Sequence, residues 1–211
     1  VLRQWYGAAV AHLDDEFGRF LDFYRQELQD DTILVVTADH GEQLGEHGLW
    51  GHSYYCYDET LKIPLIVAGP GVPEGERRSD LASHVDVFDT LCELCGIDAP
   101  PTTSGDSLFG PTERDAVFME YGERDDAAFA ETAHGRFMDR AQRGRFCAGR
   151  KAIRTHDARY ELASDGTRRL FDLVRGLEHD DPTAAQTARL HDRLLDTLGD
   201  SFGIWRSEER R

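Results

Sequence analysis

TILVVTADHGEQLGEHGLWGH, residues 32–52, joins a short apolar run to a loop that carries three histidines, three acids and four glycines. The run 32–38 has the form of a strand buried on both faces of a parallel sheet, because such strands read as continuous β-branched segments rather than alternating ones. In open α/β sheets the loops at the carboxyl ends of the strands converge and can vary without disturbing the core, so ligands gather there. Asp39 and His40 stand at that end. A carboxylate oxygen beside an imidazole nitrogen is a workable metal pair, and Gly41 is expected to turn the backbone tightly enough to aim both at one point. On spacing alone, Asp39 capping a turn with His40 as a satisfied, partly buried histidine stays open. His47 and His52 follow at steps of seven and five residues, which is not the spacing that puts two ligands on one helix face. They converge only if the loop folds back. Glu42 is a candidate acceptor behind these imidazoles, while Glu46 reads as a solvated loop acid.

Upstream, Val10, Leu13, Phe17, Phe20, Leu21, Tyr24 and Leu28 recur at helical steps, so 4–28 reads as an amphipathic helix that feeds the strand. Downstream, KIPLIVAGPGV (62–72) reads as a second buried strand stopped by a Gly-Pro-Gly turn. SHVDVFDTLCELCGI (83–97) reads as a helix, with Ser83 and Asp86 as a capping box and Gly96 at its end. DAVFMEYG (115–122) predicts a strand, and 151–163 with 168–174 predict a hairpin around Ser164, Asp165 and Gly166. A last helix is expected over 183–198, entered at Pro182. The expected architecture is α/β: part of a doubly wound mixed or parallel sheet with flanking helices, then a small C-terminal β-hairpin plus helix. The expected divisions are 1–121 for the α/β portion, 122–150 for a variable, mobile insertion, and 151–211 for the C-terminal subdomain.

Forty acids against twenty-four bases give a formal charge of -16, which repels nucleic acid and anionic membrane surfaces. Only Lys62 and Lys151 are lysines, and this acid-rich, lysine-poor composition suits a chain soluble at high salt. Four scattered cysteines do not make a disulfide scaffold, and Cys92 and Cys95 read as small thiols on a helix rather than half of a zinc site. No segment has the length of a membrane span. The compartment is left open, with the cytoplasm favoured.

TILVVTADHGEQLGEHGLWGH followed by YDETLKIPLIVAGPGV, SHVDVFDTLCELCGI and SGDSL resembles the C-terminal half of a sulfatase of the alkaline phosphatase superfamily. The resemblance extends back to the helix YGAAVAHLDDEFGRFLDFYR and forward to AIRT, YEL and RRLFDL, and is weakest at 122–150. It implies a divalent-metal hydrolase of sulfate esters, or of phosphate and phosphonate esters in close relatives. It implies that Asp39 and His40 bind the metal. Members with Asn after the Asp hold calcium; His here is similar to the phosphonate monoester hydrolase branch and implies a transition metal such as manganese. His52 stands where many members carry a lysine on the ester's anionic oxygens, so the resemblance gives it that contact and makes it the catalytic residue of this chain. His47 becomes loop scaffold or support behind the metal ligands, as does Glu42.

The family's nucleophile is a Cys or Ser converted to formylglycine within C/S-x-P-x-R, and no such motif occurs in this sequence. Asp14 and Asp15 lie on the first helix and read as a helix face, not as the family's N-terminal metal carboxylates. The chain is therefore expected to supply about half of an active site, to be inactive alone, and to need the N-terminal half of the catalytic domain as partner. Rival readings are an inactive truncated or split product, and a metal-binding module of Asp39, His40, His47 and His52. Uncovered apolar faces would favour association, including a homo-oligomer. Tyr54, Tyr55 and Tyr57 are weighed as a substrate entrance but read as packing, and His84, His134 and His191 read as surface or satisfied histidines.

Overall fold

A computed structural model describes residues 1–52, 56–110, 114–132, 135–180 and 182–201. Tyr54, Tyr55 and His134 lie outside the described residues. Two compact units emerge: one built from residues 1–110 apart from 54–56 and 80–83, the other from 111–211 with those two short stretches.

The first unit opens with α1 (Leu2–Glu27), as the apolar periodicity predicts. Tyr24 is its one buried residue, and its hydroxyl donates to the Thr32 carbonyl at 2.8 Å, which sets the turn into β1 (Leu34–Thr37). After β1 come β2 (Gln43–Leu44), a 3-10 turn (Glu46–Gly48), β3 (Trp50–Gly51), the one-turn α2 (Asp58–Leu61), β4 (Leu65–Ala68) and α3 (Val85–Leu94). β1 pairs with β4 in antiparallel register, Leu34 opposite Ala68 and Thr37 opposite Leu65. The parallel pairing expected for 32–38 is thus not the one formed with this neighbour. The reason is the connection: a parallel return needs a full crossover element, and among the described residues between β1 and β4 no helix exceeds the single turn of α2. The strand residues of β1 are only partly buried, and Ile66 on β4 is exposed. Leu2, Trp5, Tyr6, Val10, Leu13, Phe20 and Phe23 leave an apolar stripe of α1 exposed as well.

α3 ends as its sequence predicts. Gly96 has φ 66°, its N–H donates to the Glu93 carbonyl at 3.0 Å, and the Ile97 N–H reaches the Cys92 carbonyl at 2.8 Å, the two bonds of a left-handed helix stop. Its start differs. His84 holds the cap position without a side-chain cap bond. Asp86, expected in a capping box, is buried and accepts from the Asp106 N–H at 3.0 Å, while Thr90 accepts from the Leu108 N–H at 2.9 Å. The polar positions of α3 therefore hold the SGDSL loop.

In the second unit, β5 (Val117–Tyr121), β6 (Arg150–Arg154), β7 (Ala158–Ala163), β8 (Arg168–Asp172) and β9 (Leu177–Asp180) form one antiparallel sheet in sequence order. The expected strand 151–163 divides in two at Thr155–Asp157, where the Thr155 hydroxyl donates to the Asp157 carboxylate at 2.7 Å. Between β5 and β6 lie α4 (Asp126–Ala130) and α5 (Arg140–Cys147), the first capped by Asp125 and the second by an Asp139/Gln142 capping box. α6 (Ala184–Leu198) starts on a Thr183/Gln186 capping box and presses Leu194 against Ile153, Tyr160 and Ala116. That apolar face leaves charged residues for the other side of the strands. Arg150 and Glu161 are diagonal neighbours across β6 and β7, both almost fully buried, with guanidinium and carboxylate 3.0 Å apart. On the α6 side, the buried Lys151 ammonium donates to the Leu198 and Gly199 carbonyls at 2.5 and 2.9 Å, neutralising the negative end of the helix.

All four cysteines are free; Cys56, Cys92 and Cys147 are buried and Cys95 is exposed. Burial pushes the Cys56 thiol up to about 12, with the Glu161 carboxylate adding to the shift. In the native chain at neutral pH, thiol titration with a disulfide reagent is expected to show one fast group, lost in Cys95→Ser; a fast Cys56 would contradict the fold. Glu161→Ala leaves the Arg150 charge buried without this partner, and urea unfolding should show a loss of about 3–5 kcal/mol. The double variant Arg150→Met, Glu161→Leu should lose much less.

Candidate functional site

Beyond β1 the chain turns at Ala38, where the His84 ring meets the Ala38 carbonyl through Nε2 at 2.8 Å. Asp39 follows with its side chain 88% exposed, one carboxylate oxygen accepting from the His40 backbone N–H at 2.9 Å. His40 Nδ1 lies 2.9 Å from the Gly41 carbonyl oxygen. A carbonyl can only accept, so Nδ1 carries a hydrogen, and in the neutral ring the lone pair is on Nε2. That Nε2 lies 3.5 Å from the second carboxylate oxygen of Asp39.

The next link comes from the backbone. Gln43 pairs with Gly51 and Leu44 with Trp50, which folds the loop back and delivers His52 beside Glu42. Glu42 Oε2 lies 3.1 Å from His52 Nδ1, the arrangement in which a carboxylate fixes the tautomer of an imidazole and leaves Nε2 outward. The His40 and His52 rings stack with centroids 3.9 Å apart and planes 22° apart. His40, Glu42 and His52 each offer a donor atom within 4.8 Å of the others, and among the described residues no other such trio of His, Cys, Asp or Glu forms. Asp39 touches this trio only through His40.

Gly41 makes the geometry possible by a route other than the expected tight turn. It is not among the positive-φ glycines. Its N–H donates to the Thr60 carbonyl at 2.8 Å, and a methyl group on it would overlap the Glu59 carbonyl oxygen. The requirement is for space, not for a left-handed backbone.

His47 stays out of the trio. It has φ 54°, stacks on Tyr57 with centroids 3.9 Å apart, and places Nε2 3.5 Å from the Glu59 carboxylate. Glu46 is not the solvated loop acid that its sequence context suggests. It pairs with Arg3 at 2.9 Å and accepts from the Leu44 N–H at 2.6 Å, while Arg3 also donates to the Leu44 carbonyl at 2.6 Å. Its own backbone N–H and that of Leu44 hold the Glu46 carboxyl below the usual carboxylate range. Arg3 lies more than forty positions upstream on α1, and no local signal marks it. Gln43 is fully buried, and its amide has no hydrogen-bond partner among the described residues.

The fold and the loop together are similar to those of the alkaline phosphatase superfamily. A family model described as Sulfatase matches residues 2–97. The choline-sulfatase of Rhizobium meliloti (strain 1021) is 35% identical over 127 residues, 56% of this chain and 24% of that protein. Human iduronate 2-sulfatase is 34% identical over 126 residues, 47% of this chain and 23% of that protein. Among solved structures, a phosphonate monoester hydrolase from Silicibacter pomeroyi superposes with a TM-score of 0.68 and 26% identity, over 87% of this chain and 38% of its own. Residues 2–97 match the sulfatase family, and the chain spans about a quarter of the length of these curated relatives.

Gly41→Ala tests the contact that shapes the loop. The added methyl has to displace the 59–60 backbone, and the expected cost is about 1–3 kcal/mol in urea unfolding. The imidazole signals of His40 and His52 should shift in the NMR spectrum; unchanged stability and signals would show that the loop is not held there.

Proposed function

We propose that this chain carries one edge of the active site of a metal-dependent sulfate ester hydrolase. The observation that carries the reading is the convergence of His40, Glu42 and His52 at the end of β1, inside the segment that matches the sulfatase family. Asp39 and His40 hold a divalent metal, His52 faces the anionic oxygens of the ester, Glu42 orients His52, and His47 is loop scaffold. The donor chemistry fits: His40 Nε2 lies 3.5 Å from a carboxylate oxygen, a nitrogen and oxygen pair that suits manganese better than calcium. When bound, such an ion neutralises charge on the ester and on the attacking group.

Glu42 keeps the hydrogen of His52 on Nδ1. Nε2 is then the atom that meets the substrate, accepting a proton or, once protonated, donating a hydrogen bond to the ester oxygen or leaving group. Gly41 and the Arg3–Glu46 pair hold the loop while this happens. The formylglycine nucleophile and further carboxylates come from an N-terminal portion of the catalytic domain, joined to this chain or supplied by another polypeptide. The exposed apolar stripe of α1 and the exposed Ile66 support such a covering segment.

A phosphonate or phosphate ester is the second reading. It is favoured by the likeness to the Silicibacter pomeroyi enzyme and by a histidine at position 40.

The test supplies this chain with a sulfatase N-terminal portion that contains C/S-x-P-x-R. Hydrolysis of an aryl sulfate and an aryl phosphonate ester is then followed with Mn2+ or Ca2+. The chain alone should show no turnover and the combination should. In the combination, His52→Ala should lower kcat by about 10²–10³, and Glu42→Gln by about tenfold to a hundredfold. Turnover by the isolated chain, or a His52→Ala variant as active as the parent, would overturn the assignment.

A further inference from the structure

We infer that His40, Glu42 and His52 form a three-donor site for a first-row divalent metal ion of the Zn2+ or Co2+ class, which this chain fills with no residue from outside it. The inference rests on the proposed function only in placing metal chemistry at this loop; its ligand set is different, because it leaves Asp39 out and makes His52 a ligand.

The donors come from separate turns of the loop and are brought together by backbone pairing. The β2–β3 ladder sets residues 43 and 51 opposite one another, which puts Glu42 and His52 side by side, and Gly41 pins His40 next to them through the Thr60 carbonyl. Arg3 and Glu46 tie the tip of the loop to α1. The His40 tautomer is fixed by an acceptor that cannot donate, the Gly41 carbonyl, so Nε2 has its lone pair free for an ion. Glu42 Oε2 now lies 3.1 Å from His52 Nδ1; to ligate one ion together, the two give up that bond, and the His52 ring turns one nitrogen toward the ion.

Two imidazoles and one carboxylate are the donor set of many zinc and other transition-metal sites, and two nitrogens disfavour Ca2+ and Mg2+. Such an ion takes ligands at about 2.0–2.2 Å, so two donors on it are at most about 4.4 Å apart. The observed 4.8 Å envelope closes to that by side-chain rotation alone. Both imidazoles are exposed enough to turn, at 39% and 48%, and the backbone need not move. Asp39 does not enter this set: its carboxylate faces solvent, with one oxygen held by the His40 N–H. The ion therefore has two alternative seats that share His40, one toward Asp39 and one toward Glu42 and His52. The second needs nothing from the N-terminal portion.

The test is titration of the full 211-residue chain with Co2+, followed by visible d–d absorption, and with Zn2+ by calorimetry. One tight site per chain is expected, weakened at least tenfold in His52→Ala and in Glu42→Gln. Glu42→Asp, which keeps a carboxylate, should retain binding, and Asp39→Asn should weaken it less than Glu42→Gln does. Circular dichroism and the urea midpoint of each variant separate loss of a ligand from loss of the fold. A parent chain without a tight site overturns the proposal. So does an Asp39→Asn variant that loses binding as far as Glu42→Gln, or a Glu42→Gln variant that is folded and binds like the parent. None of these outcomes touches the sulfate ester reading, which stands or falls on turnover in the combined catalytic domain.

Discussion

The amide of Gly41 lies against the 59–60 backbone with no room for a side chain, and the candidate site takes its shape from that contact. It fixes the one segment that carries Asp39, His40 and Glu42, so the direction of three donors is set by a backbone hydrogen bond and not by side-chain packing. The other restraints on the loop act around it. The β2–β3 ladder returns His52, the His47–Tyr57 stack holds the far side, and Arg3 with Glu46 closes the tip. Such a site is preorganised without being buried. Rigid backbone leaves the imidazoles solvent-accessible, as the proposed contacts with an ion and an ester require.

The long periodic elements were legible because their signals are local. α1, α3 and α6 follow from apolar spacing and end residues, and Gly96 stops α3 through the left-handed geometry its sequence predicts. Pairing was less legible. A continuous apolar run is compatible with either strand direction; the antiparallel β1–β4 register follows from the lack of a crossover element among the described residues between them, a fact about thirty residues of loop. The first strand of the expected hairpin became two because Thr155 and Asp157 close a turn by a side-chain bond, which alternation alone does not reveal. Ser83 and Asp86 illustrate the limit of a motif: the spacing suited a cap, but Asp86 found a better use as the buried acceptor for the 104–108 loop.

At the site, residue types were legible and convergence was not. Asp39, His40, Glu42 and His52 stand out by chemistry and position. That Glu42 meets His52, while His47 turns away toward Tyr57 and Glu59, depends on a two-residue ladder and on a positive φ at His47. Glu46 looked solvated because its partner, Arg3, lies on another element. The same limit applies in the second unit, where no local signal marks Lys151 or Glu161. One caps a helix forty-seven residues away and the other neutralises a buried arginine.

Charge explains why one histidine can serve two ligand arrangements. His40 Nε2 lies 3.5 Å from the Asp39 carboxylate, and His40 also offers a donor atom within 4.8 Å of Glu42 and His52. The Asp39 side is open and anionic, and gains most when further carboxylates arrive from a covering segment. The Glu42 side is complete within the loop, but uses His52 as a ligand and gives up its bond to Glu42. An ion shared by these seats would release His52 only as it moves toward Asp39. The residue suited to the ester's oxygens would then become available when the rest of the metal shell is present, and not before.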